Sequence, residues 1–256
     1  MAKPPFIELS PYDRLPILYE DRSVLAVDKP PGWMLVPISW QKTNRNLQAA
    51  IISSIAAGDF WARSRNLRFL KYVHRLDAET SGVLLFAKGP GALETFGNLF
   101  ETRKMEKVYL AVTDSVPREA TWVCRLPLSQ DPKHIGQMLV DSSGKEAETE
   151  FRVVGASRGK HLIEARPYTG RTHQIRVHLA KSGCPIVGDA TYGPRDTRPM
   201  GLRAVGLAYH DPFTRRPVTI RAPLVEFLKS YGCATLDYEV NFQTMAASAN
   251  SRAQQK

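Results

Sequence analysis

A carboxylate stands between a basic pair and an apolar run in the segment YVHRLDAETSGVLLFAKG, residues 72–89. Asp77 follows His74 and Arg75 and comes shortly before the apolar run that starts at Val83. This setting predicts partial burial, and a buried carboxylate needs a charged partner or several hydrogen-bond donors. An aspartate kept ionised in a desolvated cleft can act as a nucleophile. Asp77 is therefore a candidate catalytic group, and the structural alternative is a helix cap or turn residue.

A second polar cluster, GRTHQIR at residues 170–176, supplies hydrogen-bond donors. Arg171, His173 and Gln174 belong to this dense set of donors, and a packed polar network would use the same residue types. Neither cluster contains a phosphate-binding glycine loop of the Walker type. His173 and His178 lack the spacing that places two metal ligands on one helical face, so the sequence predicts no metal site.

Apolar periodicity predicts the elements that must position these clusters. The predicted strands are 17–19, 24–27, 82–88, 107–113 and 161–167, and a hairpin with the turn DSSG is predicted over 136–154. The predicted helices cover 46–58, the stripe from Leu93 to Phe100, and the segment with Ile175 and Leu179. Strands that pair mostly by hairpins, with helices between them, predict an α+β fold with a largely antiparallel sheet.

The charge distribution favours a polyanionic partner. The 256 residues have a formal net charge of +10, and the excess is uneven. Residues 1–150 carry 19 Lys and Arg against 18 Asp and Glu, whereas residues 151–256 carry 16 against 7. A basic excess concentrated in one part of a chain indicates nucleic acid, with solubility alone as an alternative of equal weight.

Cysteine usage and hydropathy favour a cytoplasmic protein. The three cysteines, Cys124, Cys184 and Cys233, form no CxxC pair, which is typical of a reducing compartment. The N-terminal residues lack the apolar core of a signal peptide, and no apolar run approaches membrane-spanning length. We therefore expect no membrane association.

The nine residues HRLDAETSG, 74–82, resemble the catalytic signature of the RluA-type RNA pseudouridine synthases. Further segments resemble the family's other blocks in the family's order. These are ILYEDRSVLAVDKPPGWMLVP, KVYLAV, GKEAETEFRVV, GRTHQIRVHLA and PIVGDATYG. The resemblance runs from about residue 17 to about residue 225. It implies the pseudouridine synthase fold, a bent mixed sheet flanked by helices and loops, with an active-site cleft across the sheet.

The resemblance implies isomerisation of specific uridines in structured RNA, ribosomal or transfer RNA or both, to pseudouridine. The ribose link moves from N1 to C5 of a base that the enzyme flips out of its stack. The family uses no cofactor and no metal. No obligate protein partner is implied, and a monomer is expected.

The resemblance also assigns roles to residues. Asp77 is the nucleophile, Arg176 is its counter-ion, and Tyr109 stacks on the target base and is a candidate proton carrier. Arg75, although only two residues before the aspartate in sequence, is assigned to base flipping rather than to the ion pair. The remaining predicted RNA or substrate contacts are His74, Arg171, His173, Gln174 and Ile175.

The chain departs from the family pattern in places. Leu202-Arg203-Ala204 stands where many members have Leu-His-Ala. We expect an N-terminal extension over 1–16, a catalytic domain over 17–240 and a disordered tail over 241–256, with no RNA-binding S4 domain. Two other functions compete with the synthase: a catalytically silent RNA-binding protein on the same fold, and a hydrolase that pairs Asp77 with His74 or His173.

Overall fold

A computed structural model describes residues 2–9, 13–35 and 45–242. Within these residues the first seven strands are β1 (Phe6–Glu8), β2 (Arg14–Glu20), β3 (Val24–Lys29), β4 (Lys71–Tyr72), β5 (Ser81–Ala87), β6 (Glu106–Thr113) and β7 (Thr121–Cys124). The remaining strands are β8 (Leu128–Gln130), β9 (Met138–Val140), β10 (Thr149–Ser157), β11 (Lys160–Pro167), β12 (Leu202–His210) and β13 (Pro217–Arg221). The helices are α1 (Leu47–Ala57), α2 (Phe60–Arg63), α3 (Pro90–Glu101), α4 (Gln174–Lys181) and α5 (Val225–Ser230).

Eleven strands of the described part form one mixed sheet. Nine of them follow the order β1-β2-β3-β5-β12-β6-β11-β10-β7, while β13 pairs with β12 and β4 pairs with β5. Among the described strands the β5–β12 pair is parallel and the other pairs are antiparallel. The predicted α+β class with a largely antiparallel sheet is therefore confirmed.

The sheet is covered on both faces, as the continuous apolar run of β5 predicts. Alternate residues of β5 belong to two separate cores: Leu84 and Phe86 to one, Val83 and Leu85 to the other. The first core takes its cover from α1 and α2, and the second takes Phe96 from α3. The sheet is thus a rigid support at the point where the chain leaves the Asp77 loop and enters β5.

The parallel β5–β12 pair joins the N-terminal strands to the rest of the sheet. Gly82 lies opposite Ala204 in this pair, with a φ of +110°. A Cβ on Gly82 would lie 2.0 Å from the carbonyl oxygen of Ala204. Only glycine permits this backbone approach, which lies five residues after Asp77 in the sequence.

We expect Gly82→Ala to lower the free energy of unfolding by about 4 kcal/mol or more, because the new methyl group meets backbone that cannot move aside. Denaturant titration measures this change. Gly91→Ala in α3 is the matched control, since its new methyl group would meet no described atom within 4 Å beyond the backbone of its own helix. A Gly82→Ala protein as stable as the Gly91→Ala protein would contradict the account of the β5–β12 junction.

One predicted hairpin is wrong. The turn at DSSG exists, with the amide of Gly144 donating to the carbonyl of Asp141 at 2.9 Å. However, β9 pairs with β8 and not with β10, because Leu128 of β8 lies between Val140 and Lys145 and bonds on both sides. Strand β10 pairs instead with β7 and β11.

The chain ends contribute contacts at both predicted domain boundaries. Within the predicted extension 1–16, β1 pairs with β2, which begins at Arg14. Within the predicted tail, the carbonyl of Asn241 accepts a bond from Arg166, and Phe242 packs under Arg221. The rest of that tail, 243–256, lies outside the described residues. Across the described residues, no helix has the length and apolarity needed to cross a membrane.

Candidate active site

Asp77 lies in the loop that leads into β5, and a buried ammonium group fixes this loop. Lys29, at the end of β3, is fully buried and donates to the carbonyls of Ala78 at 2.8 Å and Thr80 at 2.9 Å. Burial lowers the pKa of Lys29 to about 8. The amide of Thr80 also donates to the backbone carbonyl of Asp77 at 3.2 Å. Lys29 thus has a structural role, since its bonds hold the residues that follow Asp77.

Arg176 reaches Asp77 from the other half of the sheet. Helix α4 presents its apolar side, Ile175 and Leu179, to a core shared with β6, β10 and β11. The next residue after Ile175 is Arg176, and Nη1 of its guanidinium lies 3.2 Å from Oδ2 of Asp77. The Arg176 side chain is 8% exposed and that of Asp77 is 26% exposed. The structure therefore brings together the ion pair that the sequence predicted across 99 residues of chain.

A second carboxylate clamps the same arginine. Asp189 accepts from Nε and Nη2 of Arg176, both at 2.8 Å, and its side chain is 1% exposed. The amides of Thr191 and Tyr192 also donate to Asp189. Burial alone would raise the pKa of Asp189, but the bonds and charge of Arg176 outweigh it and lower the pKa. This bidentate contact leaves Nη1 of Arg176 for Asp77.

Tyr192 connects Arg176 to His173. The Arg176 guanidinium lies 5.0 Å from the centre of the Tyr192 ring, within the range of a cation–π contact. The Tyr192 hydroxyl accepts the amide proton of Met138 at 2.7 Å and lies 2.8 Å from Nδ1 of His173. Nε2 of His173 faces Oδ2 of Asp77 at 3.8 Å.

Tyr109 projects from β6 toward the cleft, on the face opposite its neighbour Val108. Its ring packs against both cores on the cleft side, whereas Val108 belongs to a core on the other face. Burial, reinforced by the charge of Asp77, raises the pKa of Tyr109 well above its ordinary value. The phenol therefore stays protonated and can donate a hydrogen bond.

These groups share one cleft of about 1030 Å³. Asp77, Tyr109 and Arg176 all line it. Its other basic lining residues are Arg75, Arg103, Lys107 and Arg171. The cleft thus combines an ion-paired carboxylate with a positively charged lining, which suits a polyanionic substrate. No group of His, Cys, Asp and Glu side chains suited to a metal ion occurs among the described residues.

Three of the predicted contact residues, Gln174, His74 and Ile175, bond or pack within the protein. Gln174 is buried and bonds internally to Thr169, Glu148, Thr149 and Arg171. Nε2 of His74 accepts the amide proton of Leu85, and burial lowers the pKa of His74 to about 3. Both residues also line the cleft, and their contact with RNA stays a prediction. Ile175 is 7% exposed and contributes to the core beneath the cleft.

The more accessible predicted contacts are the two arginines. Arg75 is exposed, and its Nη2 lies 3.5 Å from the Thr172 hydroxyl, so its guanidinium is not committed to Asp77. Arg171 donates through Nε to the carbonyl of Glu146 at 2.8 Å, and the residue lines the cleft. Both remain predicted RNA contacts.

The sequence interpretation missed Asp189 and Tyr192 as parts of the site. Both lie in the block PIVGDATYG, which supported the family resemblance without a role for any of its residues. The signal that could have found Asp189 is physical: a buried arginine with one carboxylate partner needs further acceptors for its remaining donors.

A scan against family models matches residues 23–181 to the family described as RNA pseudouridylate synthase. The chain belongs to this family of RNA pseudouridine synthases, which are isomerases. The matched residues include Asp77, Tyr109 and Arg176, so the whole ion pair and the predicted stacking tyrosine of this synthase lie inside the family segment.

Relatives agree with this assignment. The synthase is 32% identical to an uncharacterised RNA pseudouridine synthase of Zymomonas mobilis over 84% of this chain and 96% of that protein. It is 34% identical to the ribosomal large subunit pseudouridine synthase C of Escherichia coli K12, over 83% of this chain and 67% of that protein. In fold it resembles human RNA pseudouridylate synthase domain containing 4, with a TM-score of 0.68 and 24% identity over 87% of this chain and 94% of that one.

Proposed function

We propose that this synthase converts specific uridines of ribosomal or transfer RNA to pseudouridine, with Asp77 as the nucleophile and with the target base flipped into the cleft. The observation that carries this proposal is the contact between Oδ2 of Asp77 and Nη1 of Arg176 at 3.2 Å, inside a basic cleft. A half-buried carboxylate that is ion-paired at one oxygen is held in a fixed orientation for attack.

The two oxygens of Asp77 have different surroundings. Oδ2 is shared by Nη1 of Arg176 and, at 3.8 Å, Nε2 of His173. None of the described residues forms a hydrogen bond with Oδ1, so we assign Oδ1 as the attacking oxygen. Arg176 then holds the second oxygen throughout the reaction, and Asp189 holds Arg176.

The reaction balances within the substrate. The N1–C1′ bond of uridine breaks, the base turns, and a C5–C1′ bond forms. The proton at C5 is lost and N1 gains one, so the product is an isomer and no oxidant, reductant or energy source is consumed. From this geometry Oδ1 can attack either C1′ of the ribose or C6 of the base. Tyr109, protonated at neutral pH, stacks on the base and donates through its hydroxyl.

Flipping the base costs a few kcal/mol, which stacking and polar contacts in the pocket offset. Tyr109 supplies the stacking surface inside the cleft. Arg75 is the group proposed to take the vacated place in the RNA, because it is exposed and lines the cleft without a partner that holds it strongly. Arg103 and Arg171 are available to phosphates along the same lining.

We expect Tyr109→Phe to keep the stacking ring and to lower kcat about 10²-fold or more, because proton transfer by a positioned side chain contributes on this order. The KM for RNA stays near the wild-type value. Steady-state rates on RNA labelled at uridine C5 with tritium measure both, since the C5 hydrogen leaves. Tyr231→Phe, which removes a hydroxyl bonded to Pro199 outside the cleft, controls for the general loss of a buried hydroxyl. Unchanged kcat in Tyr109→Phe would reject the proton role.

The synthase is proposed to act in the cytoplasm as a monomer, without cofactor, metal or obligate protein partner. All three residues of the proposed mechanism come from one chain, and the three cysteines are free and buried, which suits a reducing compartment. The name of the E. coli relative makes large-subunit ribosomal RNA one candidate substrate.

Pseudouridine mapping in total RNA tests the proposal and identifies the substrate together. A strain that lacks this protein is expected to lose pseudouridine at specific positions, and re-expression restores them. A map identical to that of the parent strain would contradict the proposed function.

A further inference from the structure

The β8–β9 hairpin carries an unusually exposed apolar side chain. Its tip spans Asp131–Gln137, and Ile135 at this tip is 91% exposed. Burial of an isoleucine side chain stabilises a folded protein, and an exposed side chain does not contribute this free energy. Ile135 therefore gives no such stabilisation to the folded chain.

The tip is an ordered turn. The amide of Asp131 donates to the carbonyl of Gln137, and the amide of Gln137 donates back to the carbonyl of His134, both at 3.0 Å. The Asp131 carboxylate accepts the amide of Lys133 at 2.8 Å and lies 2.9 Å from Nδ1 of His134. Ile135 is therefore presented by a formed loop, at a fixed place.

That place is the cleft. Ile135, Gly136 and Gln137 line the same cavity as Asp77. The large apolar side chains exposed in the described residues are Ile52, Phe60, Val116, Val123, Leu126, Ile135, Phe213 and Val225. Within this set, Ile135 is the most exposed and the sole member that lines the cleft. Its position, and not its exposure alone, separates it from ordinary surface residues.

The base of the hairpin is fastened to the catalytic machinery. Leu128 of β8 is buried in one apolar cluster with Val177 of α4, the helix that carries Arg176. The amide of Met138 at the start of β9 donates to the Tyr192 hydroxyl at 2.7 Å, and the Tyr192 ring contacts Arg176. These contacts fix the position of the hairpin tip relative to the Asp77–Arg176 ion pair.

We propose that Ile135 packs against the nucleobase next to the extruded uridine, while Arg75 takes the place that the uridine leaves. Proteins that open a base stack insert apolar wedges such as isoleucine. The neighbouring charge fits RNA, since Lys133 is exposed beside Ile135 and Arg103 and Arg171 line the cleft. This inference rests on the proposed function and adds a specific contact to its RNA substrate.

The test uses Ile135→Ser, Ile135→Leu and Val116→Ser in the full chain. Val116 is 75% exposed and does not line the cleft, so it is the matched control. The probe is total RNA from a strain lacking this protein, labelled with tritium at uridine C5. For Ile135→Ser we expect kcat/KM to fall about tenfold or more, equivalent to about 1.4 kcal/mol. For Ile135→Leu and Val116→Ser we expect kcat/KM to stay within about twofold of the wild-type value.

Thermal unfolding accompanies the assay, and equal midpoints are expected because both positions are exposed. If the wild type releases tritium and Ile135→Ser matches it, the RNA contact is overturned while the proposed function stands. If a protein partner and not RNA covers Ile135, the rate of Ile135→Ser with purified components would also be unchanged. If the wild type releases no tritium, the proposed function and this inference fail together.

Discussion

The Asp77→Asn variant is expected to form pseudouridine at least about 10³-fold more slowly than the wild type, because loss of a nucleophile removes the covalent route. Asparagine has nearly the shape of aspartate but no negative charge, so Arg176 loses one of its two carboxylate partners, keeps Asp189, and the cleft keeps its form. RNA affinity is expected to stay within about threefold, since phosphate contacts dominate affinity and the basic lining of the cleft is unchanged. Tritium release from C5 measures turnover, and filter binding at one fixed salt concentration measures affinity.

Glu79→Gln is the matched control for this loss. Glu79 is an acid in the same loop, it is exposed, and it also lines the cleft. If the reaction depended only on the negative charge of the loop, both variants would slow it equally. We expect Glu79→Gln to turn over within a few-fold of the wild type, as do most surface substitutions. Turnover by Asp77→Asn near the wild-type rate would remove Asp77 from the mechanism.

The Arg176→Ala variant is expected to lose both activity and stability. Without Arg176, the buried Asp189 keeps two backbone amide donors but no cation, and removal of one partner of a buried pair costs about 3–5 kcal/mol. Asp77 at the same time loses the group that orients Oδ2. Turnover is expected to fall about 10²-fold or more, on the order seen when a single charge-stabilising donor is removed. Denaturant unfolding and tritium release measure the two losses separately.

The double variant Arg176→Ala with Asp189→Asn separates orientation from folding. Asparagine at 189 carries no charge, so the uncompensated buried carboxylate disappears and part of the lost stability is expected to return. Activity is not expected to return, because Asp77 still lacks its counter-ion. A double variant with wild-type turnover would show that Arg176 acts through stability alone.

The Asp77–Arg176 ion pair could be predicted because its two members lie in two recognisable blocks. Proximity alone suggested Arg75 as the partner of Asp77, since one residue separates the two in sequence. The family resemblance named Arg176, and the structure places the two groups in contact at 3.2 Å. Local sequence does not encode this choice, because it depends on α4 packing against β10 and β11, far along the chain from β5.

Periodicity predicted elements better than it predicted their pairing. Helix α1 begins after Asn46, whose side chain accepts the Ala49 amide, and ends at Gly58 with a φ of 72°, as its cap residues indicate. The turn at DSSG was also predicted correctly, but the partner of β9 was not. Strand pairing is nonlocal, and Leu128, on which β9 pairs, lies ahead of the predicted hairpin.

Polar residue type did not reveal which side chains make hydrogen bonds within the protein. His74 and Gln174 have the donors of an RNA-binding group, yet their bonds are made inside the protein. The same limit hid Asp189, whose role follows from its 1% exposure and its two bonds to Arg176. Burial is a property of the assembled fold and is not visible in one segment of sequence.

The central claim is that Asp77, held by Arg176, isomerises uridine in RNA. The most direct test incubates total RNA from a strain lacking this protein with purified wild type or Asp77→Asn, then maps pseudouridine at nucleotide resolution. The account predicts that the wild type forms pseudouridine at defined uridines and that Asp77→Asn, bound to the same RNA, forms none. Absence of new pseudouridine with the wild type, or the same map with both proteins, would contradict it.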